Sequence, residues 1–456
     1  MNLYIVIIVL LGLTLVFTWL ILFYKTGLLR RFIPQKLYVA ILPLYKRIIG
    51  GVNTTESRIP LIMIDEEERQ ISDAIRLTFT GDLIILKDMV ENAYDEKAKR
   101  YSFDSMFQYV KEYYDAADLN IGVLEGPVAG EEKGFSLTNV YDDNPRILNF
   151  PVEFLEAIKR AGINVVTQAN NHLLDKGVDG MCRTIDELDR FGISHVGAYK
   201  TTVDNNNVKI IQVENLSIAL ISYTYGLNYL STDFFYNKEN RHLTKCIVPP
   251  KSKYIRKCIK DIEKDFEAAK EQNPDLIIVL PHMGTEFSHI PDNFQRYWMD
   301  MFVKLGADVI FSCHSHVVQP IEWRESEDGK NVLVVYSPGS LVNSYTEHDG
   351  DANMLVECYI SKKTGKPFAA SCIPLYSYCK HGWDKAETYC AIPIYKLLKD
   401  KNICPSLSEY EYRRICKTYH IVTKAALGYK YDLSKQIERF YTLPKKMLSL
   451  NQNCYE

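Results

Sequence analysis

Two histidines one residue apart, His314 and His316, end the stretch ADVIFSCHSHVVQP just after an apolar run, Val309 to Phe311. An imidazole binds a divalent ion through one ring nitrogen while a neighbour holds the other. Residues two apart in an extended chain point to the same side, so the pair could serve one site. Four more places supply the partners such a site needs. Gly81-Asp82 follows a strand expected over 75–80, and Glu125 follows one over 119–124. Asn170-Asn171-His172-x-x-Asp175 follows 164–168, and His282-x-Gly284-x-Glu286 follows 275–280. Carboxylate, amide oxygen and imidazole are the ligands of Mn, Fe, Zn or Mg. Taken singly, each piece has a plainer reading as a turn, a helix cap or a core histidine. Five of them at five strand ends point to a divalent metal site.

Positioning these residues takes an α/β domain. Strands are expected at the places just given and over 218–223, 307–312 and 332–336. Helices are expected over 152–161, 180–191, 254–271 and 294–305. Gly162, Gly192 and Gly306 follow three of those helices as C-terminal stops. In such folds the loops at the carboxyl ends of the strands converge, and sites form there.

The flanks read differently. The first 24 residues contain no Asp, Glu, Lys or Arg, and about 20 apolar residues span a bilayer as a helix. Residues 1–25 are therefore expected to be a transmembrane anchor. Residues 26–72 read as a basic juxtamembrane connector, 73–378 as the metal-binding domain and 379–456 as a helical extension. Lys25, Arg30, Arg31, Lys36, Lys46 and Arg47 all follow the apolar segment, which by the positive-inside rule puts the bulk of the chain in the cytoplasm. Eleven cysteines without paired spacing read as free thiols of a reducing compartment. A net charge of −3 and the lack of a basic stripe argue against a nucleic-acid partner.

Gly81-Asp82, Glu125, Asn170-Asn171-His172-x-x-Asp175-x-Gly177, His282-x-Gly284-x-Glu286, Gly306-Ala307-Asp308, His314-x-His316 and Tyr336-Ser337-x-Gly339 together resemble the capsule-synthesis CapA family. The match runs from about Arg76 to about Asn343. Asn-Asn-His and His-x-His are also shared with calcineurin-like phosphoesterases. The resemblance implies a metallophosphoesterase-like four-layer αββα sandwich with two divalent ions, linked to poly-γ-glutamate-type capsule biosynthesis. Asp82, Glu125 and His316 would hold one ion. Asn171, His282 and His314 would hold the other, with Glu125 or Asp82 bridging. His172 would be the general acid, and a metal-activated water the nucleophile. Asn170, Asp175, Glu286 and Ser337 would support the ligands or touch substrate. The implied partners are the membrane, other capsule-synthesis membrane proteins, and the polymer or its precursor. The family places this domain outside the membrane, opposite to the charge and cysteine reading, and both sides stay open.

The sequence departs from the family pattern in three places. Cys313 stands where a histidine is usual and, alternating with the ligand pair, is expected to point away from the site. Ser340-Leu341 replaces Asn-Phe, and Ile84 stands where phosphoesterases carry a ligand histidine. Three functions follow from this reading. The first is a metal-dependent hydrolase or transferase acting on the capsule polymer or a phosphorylated or glutamyl precursor. The others are a non-catalytic subunit of a capsule-synthesis complex and a general phosphoesterase.

Overall fold

A computed structural model of the chain describes residues 70–138, 146–344, 347–378, 389–400, 402–403, 408–428 and 437–444. The proposed anchor and almost all of the connector lie outside the described residues. Among the described residues no helix is long and apolar enough to cross a membrane.

In chain order the main strands of the first half are β1 (Ile75–Leu83), β2 (Leu119–Leu124), β3 (Val165–Thr167), β4 (Ser194–Val196), β5 (Lys209–Val213), β6 (Leu216–Thr224) and β7 (Leu276–His282). They are followed by β8 (Val309–Phe311), β9 (Ile321–Glu325), β10 (Asn331–Val335), β11 (Ala352–Ile360), β12 (Pro367–Tyr378), β13 (Cys390–Pro393) and β14 (Phe440–Thr442). The helices that pack on them are α1 (Glu153–Ala161), α2 (Gly177–Phe191), α3 (Ile255–Glu271), α4 (Asn293–Leu305), α5 (Ile394–Lys399) and α6 (Glu409–Leu427). Helices α1, α2 and α4 stop at Gly162, Gly192 and Gly306, as expected.

The strands form two large sheets. One has the order β13-β12-β11-β1-β2-β3-β4, with β14 pairing β12; the other runs β9-β10-β8-β7-β6-β5. Strands β1 to β4 are parallel, as are β6, β7, β8 and β10. The sheets face each other across one apolar core, in which Phe79 of β1 stacks on Phe311 of β8 at 4.6 Å. Strands covered on both faces read as nearly unbroken apolar runs, which is why β7 (LIIVLPH) is buried throughout. Helices α3 and α4 cover the outer face of the second sheet with Ile262, Phe266, Trp298 and Phe302. This is a mixed α/β fold, as expected, and its parallel strands deliver their carboxyl ends to one place.

The C-terminal segment differs from the expected helical extension. Its described residues carry two helices, but β13 and β14 also extend the first sheet at β12. Helix α6 buries Ile415, Tyr419, Val422 and Ala426 in the same core as the two sheets. The strands escape a sequence reading because CAIP and FYT are too short to show a period.

Candidate metal centre

Each expected ligand sits at a strand end, and specific backbone contacts bring those ends together. Gly81 lets the turn after β10 close onto β1: a Cβ there would lie 1.9 Å from the Gly339 carbonyl oxygen. The Asp82 amide donates to that oxygen at 3.2 Å, and the Leu341 amide donates to the Asp82 carbonyl at 3.1 Å. Glu125 follows β2, its amide donating to Leu83 O at 3.2 Å. Asn170 ties the ends of β2 and β3: Nδ2 donates to Leu124 O at 2.7 Å, and Oδ1 accepts the His172 amide at 3.0 Å. His282 is the last residue of β7.

His314 and His316 reach the site by a different route from the one expected. Strand β8 ends at Phe311, and the two histidines adopt φ of +112° and +56°. Such values are strained for residues with a Cβ and persist only where the surroundings enforce them. The enforcing bonds come from the loop after β7: Met283 N–H donates to Cys313 O at 2.9 Å, and Phe287 N–H to Ser315 O at 2.7 Å. A turn, not strand alternation, aims both rings. Alternation therefore also fails for Cys313. It does not point away from the site: its buried thiol lies against Asp82 and 3.5 Å from Gly339 O.

Asp82, Glu125, Asn171, His282, His314 and His316 are each at most 3% exposed. Their ligand atoms converge in two sets, Asp82 with Glu125 and His282, and Glu125 with His314 and His316, each set within 4.8 Å. Glu125 belongs to both, as a bridging carboxylate would. Asn171 Oδ1 joins the first set at 2.8 Å from His282 Nε2. His316 Nδ1 reaches toward both carboxylates, 3.2 Å from Asp82 and 3.7 Å from Glu125. All six expected ligands are thus together. His316 lies against Asp82 and Glu125, the grouping expected for one ion, and also shares a set with Glu125 and His314.

The donor set fits a divalent cation. Burying carboxylates costs several kcal/mol each unless a cation compensates. Both oxygens of Asp82 are buried without a hydrogen bond of good geometry, as are Asn171 Nδ2 and His282 Nδ1. The groups that act on the Asp82 charge are His316, His282 and the Cys313 thiol. Burial works to raise the Asp82 carboxyl, but His316 and His282 outweigh it and hold it below the usual range. Burial pushes His282 down to about 4, against the pull of Asp82 and Glu286. Burial also opposes the His316 proton, yet Glu125 and Asp82 raise that imidazole overall. The protein holds acceptors and imidazoles there and supplies little positive charge of its own.

Beside this cluster, His172 Nδ1 lies 2.6 Å from Asp175 Oδ2, both side chains almost fully buried. A carboxylate only accepts, so Nδ1 carries the proton there. Asp175 Oδ2 also accepts the Leu148 amide at 2.7 Å. Glu286, 7% exposed, is close enough to favour the charged forms of His282 and His316. Ser337 Oγ accepts the Gly339 amide at 3.1 Å and so shapes the turn.

Three residues escaped the sequence reading. Ser340 Oγ lies 3.2 Å from His316 Nδ1, so this departure from the family pattern still contacts a ligand. Tyr225 packs on the His314 ring at 4.6 Å, and its amide donates to His282 O at 3.0 Å. Asn228 Nδ2 lies 3.2 Å from His172 Nε2. The end of β6 offers Tyr-Gly-Leu-Asn, without the acidic or imidazole side chains that flagged the other strand ends.

The model of the family "Bacterial capsule synthesis protein PGA_cap" matches residues 76–345, which include every ligand above. The PGA biosynthesis protein CapA of Bacillus subtilis (strain 168) is 26% identical over 331 residues, covering 72% of this chain and 79% of that protein. The capsule biosynthesis protein CapA of Bacillus anthracis is 28% identical over 310 residues, covering 67% and 68%. Among solved structures, TT1561 of Thermus thermophilus aligns with 64% of this chain and 97% of its own at 9% identity; its TM-score of 0.34 is too low to support a structural argument. The chain belongs to the bacterial capsule synthesis family PGA_cap.

Proposed function

We propose that this chain is a membrane-anchored, divalent-metal-dependent hydrolase or transferase of capsule biosynthesis. Its substrate is a poly-γ-glutamate-type polymer or a phosphorylated or glutamyl precursor. One observation carries the reading: six buried ligands from five strand ends converge without a lysine or arginine among them, beside the His172–Asp175 pair. In this reading Asp82, Glu125 and His282, with Asn171, hold one ion of a metallophosphoesterase-like pair. Glu125, His314 and His316 hold the other. The bound ions supply Lewis acidity and neutralise charge on the reacting group. Asp175 fixes the His172 ring through Nδ1. Nε2–H then faces the leaving oxygen and gives up its proton as the bond to it breaks. The apolar first 24 residues support the anchor, and capsule-synthesis membrane proteins are the partners it would meet.

The test is a deletion strain complemented with the full chain. His172→Ala should abolish the polymer phenotype while the purified protein keeps its metal. Wild-type polymer from that variant would refute the acid role. A second reading, a non-catalytic subunit whose metal site holds the fold, is favoured by the burial of His172, which is only 3% exposed. It expects loss of polymer on deletion and full rescue by His172→Ala.

A further inference from the structure

A second enclosed space lies next to the centre, where α3 covers the second sheet. It has a volume of about 340 Å³ and is walled by the short helix Thr202–Asn206, residues 235–246 and the first three turns of α3. Asn205 Nδ2 donates to His242 O at 2.9 Å and ties two of these walls together. Tyr223 of β6 lines the space, and Tyr225, two residues on, packs on the His314 ring. Two residues of extended chain span about 7 Å, so the space and the centre adjoin along one strand end. Four cations, Arg241, Lys245, Lys257 and Lys264, line it against two carboxylates, Asp261 and Asp265. Both carboxylates are already matched. Asp261 pairs with Lys257, and Asp265 pairs with Lys245 and accepts the Tyr223 hydroxyl at 3.0 Å. Arg241 and Lys264 are left over. Neither side chain makes an ion pair or a hydrogen bond among the described residues. Concave walls of low dielectric focus such an excess on whatever enters.

We infer that this space is an anion subsite and takes a carboxylate of the chain held at the metal centre. The fold itself has no use for the charges of Arg241 and Lys264, since the carboxylates beside them are paired with other lysines. The positive excess selects an anion; that the anion is a carboxylate rests on the capsule-polymer reading above. A phosphoryl group shares this chemistry, and the experiment separates the two. A polymer bound at the centre presents its neighbouring carboxylates here at a high effective concentration. Contacts with two exposed cations, each weak alone, then add to its affinity.

The experiment measures binding of a fluorescent γ-linked glutamate oligomer to the full chain at low salt. Arg241→Ala/Lys264→Ala should weaken it about tenfold, as two exposed charge contacts allow. Arg241→Lys/Lys264→Arg, which keeps both charges, should bind as the wild type does. The loss should close at about 1 M salt, where charges are screened within about 3 Å. Both residues are exposed, so the urea midpoint should not move. Equal binding by the wild type and the double alanine variant would overturn the inference and leave the polymer reading standing. Loss of inorganic phosphate binding in that variant, with oligomer binding unchanged, would overturn it in favour of a phosphoryl group. If the wild type binds no oligomer, the polymer reading fails, and a second measurement decides on the subsite alone. Glutarate should protect Lys264 of the full chain from amine acylation, read by mass spectrometry, and Arg241→Ala should remove that protection. A Lys264 that glutarate leaves unprotected would overturn the inference.

Discussion

Buried carboxylates of this protein are treated in two opposite ways. Glu357 in β11 is 0% exposed, and the chain surrounds it with donors. Arg439 Nε lies 2.7 Å away, Arg76 Nη1 3.8 Å, and the Tyr359 and Ser371 hydroxyls donate at 2.6 and 2.7 Å. Asp351, equally buried, is paired with Arg414 of α6. Asp82 is buried to the same extent, yet its ion-pair neighbours are imidazoles that can lose their charge. Where a carboxylate serves the fold, a guanidinium that never deprotonates sits beside it. At the strand ends the charge is left for something else to neutralise. That contrast, more than the residue types alone, makes the cluster a candidate metal centre.

Arg439→Ala tests the structural half of the contrast and should have the largest effect on the fold. It strands the Glu357 charge, and breaking a buried pair from one side costs about 3 kcal/mol or more. Urea unfolding should show that loss equally with and without chelator. A loss under about 1 kcal/mol would mean that the hydroxyls and Arg76 suffice.

The pH dependence tests the other half. Without an ion, His316 is raised above its ordinary 6.5: burial opposes its proton, and Glu125 and Asp82 more than offset burial. The folded chain then holds this proton more tightly than the unfolded one. Its stabilisation is full below 6.5 and is lost as pH rises through the raised value. An ion needs the neutral ring, so metal affinity runs the other way and weakens as pH falls through the same window. Denaturant unfolding at about pH 6 and about pH 9 should show the gain from added metal growing with pH. A gain independent of pH would mean that His316 is not a ligand.

Ser340→Ala is the finest probe. Loss of a group that orients a metal-bound histidine weakens the metal about tenfold. Competition with a chromophoric chelator would measure it, with the urea midpoint of the metal-free chain unchanged. Unaltered affinity would leave Ser340 a packing residue.

Much of this was legible in the sequence, for physical reasons. Strands β7 and β10 are apolar runs of strand length because both faces are covered, β1 alternates apolar with polar residues, and the polar residues near the strand ends mark the site. Helices α1, α2 and α4 show their period and their glycine stops. The hairpin β11–β12 was not legible. Its inner face is Ala352, Met354, Val356, Cys358 and Ile360, but the alternate positions Asn353, Glu357 and Tyr359 are buried too. Neither alternation nor an unbroken apolar run survives there. The geometry at His314 and His316 was hidden because positive φ at a residue with a Cβ is imposed by the loop after β7, far away in sequence. Tyr225 and Asn228 were missed because they act through a ring face and an amide, which carry no charge to notice.

The central claim is tested most directly by elemental analysis of the full-length chain, purified without chelator, beside a His314→Ala/His316→Ala variant. Two divalent ions per wild-type chain, lost or halved in the variant, is the expected result. No stoichiometric metal in the wild type, even after remetallation, would contradict it and leave Asp82 and Glu125 as buried charges balanced by histidinium alone.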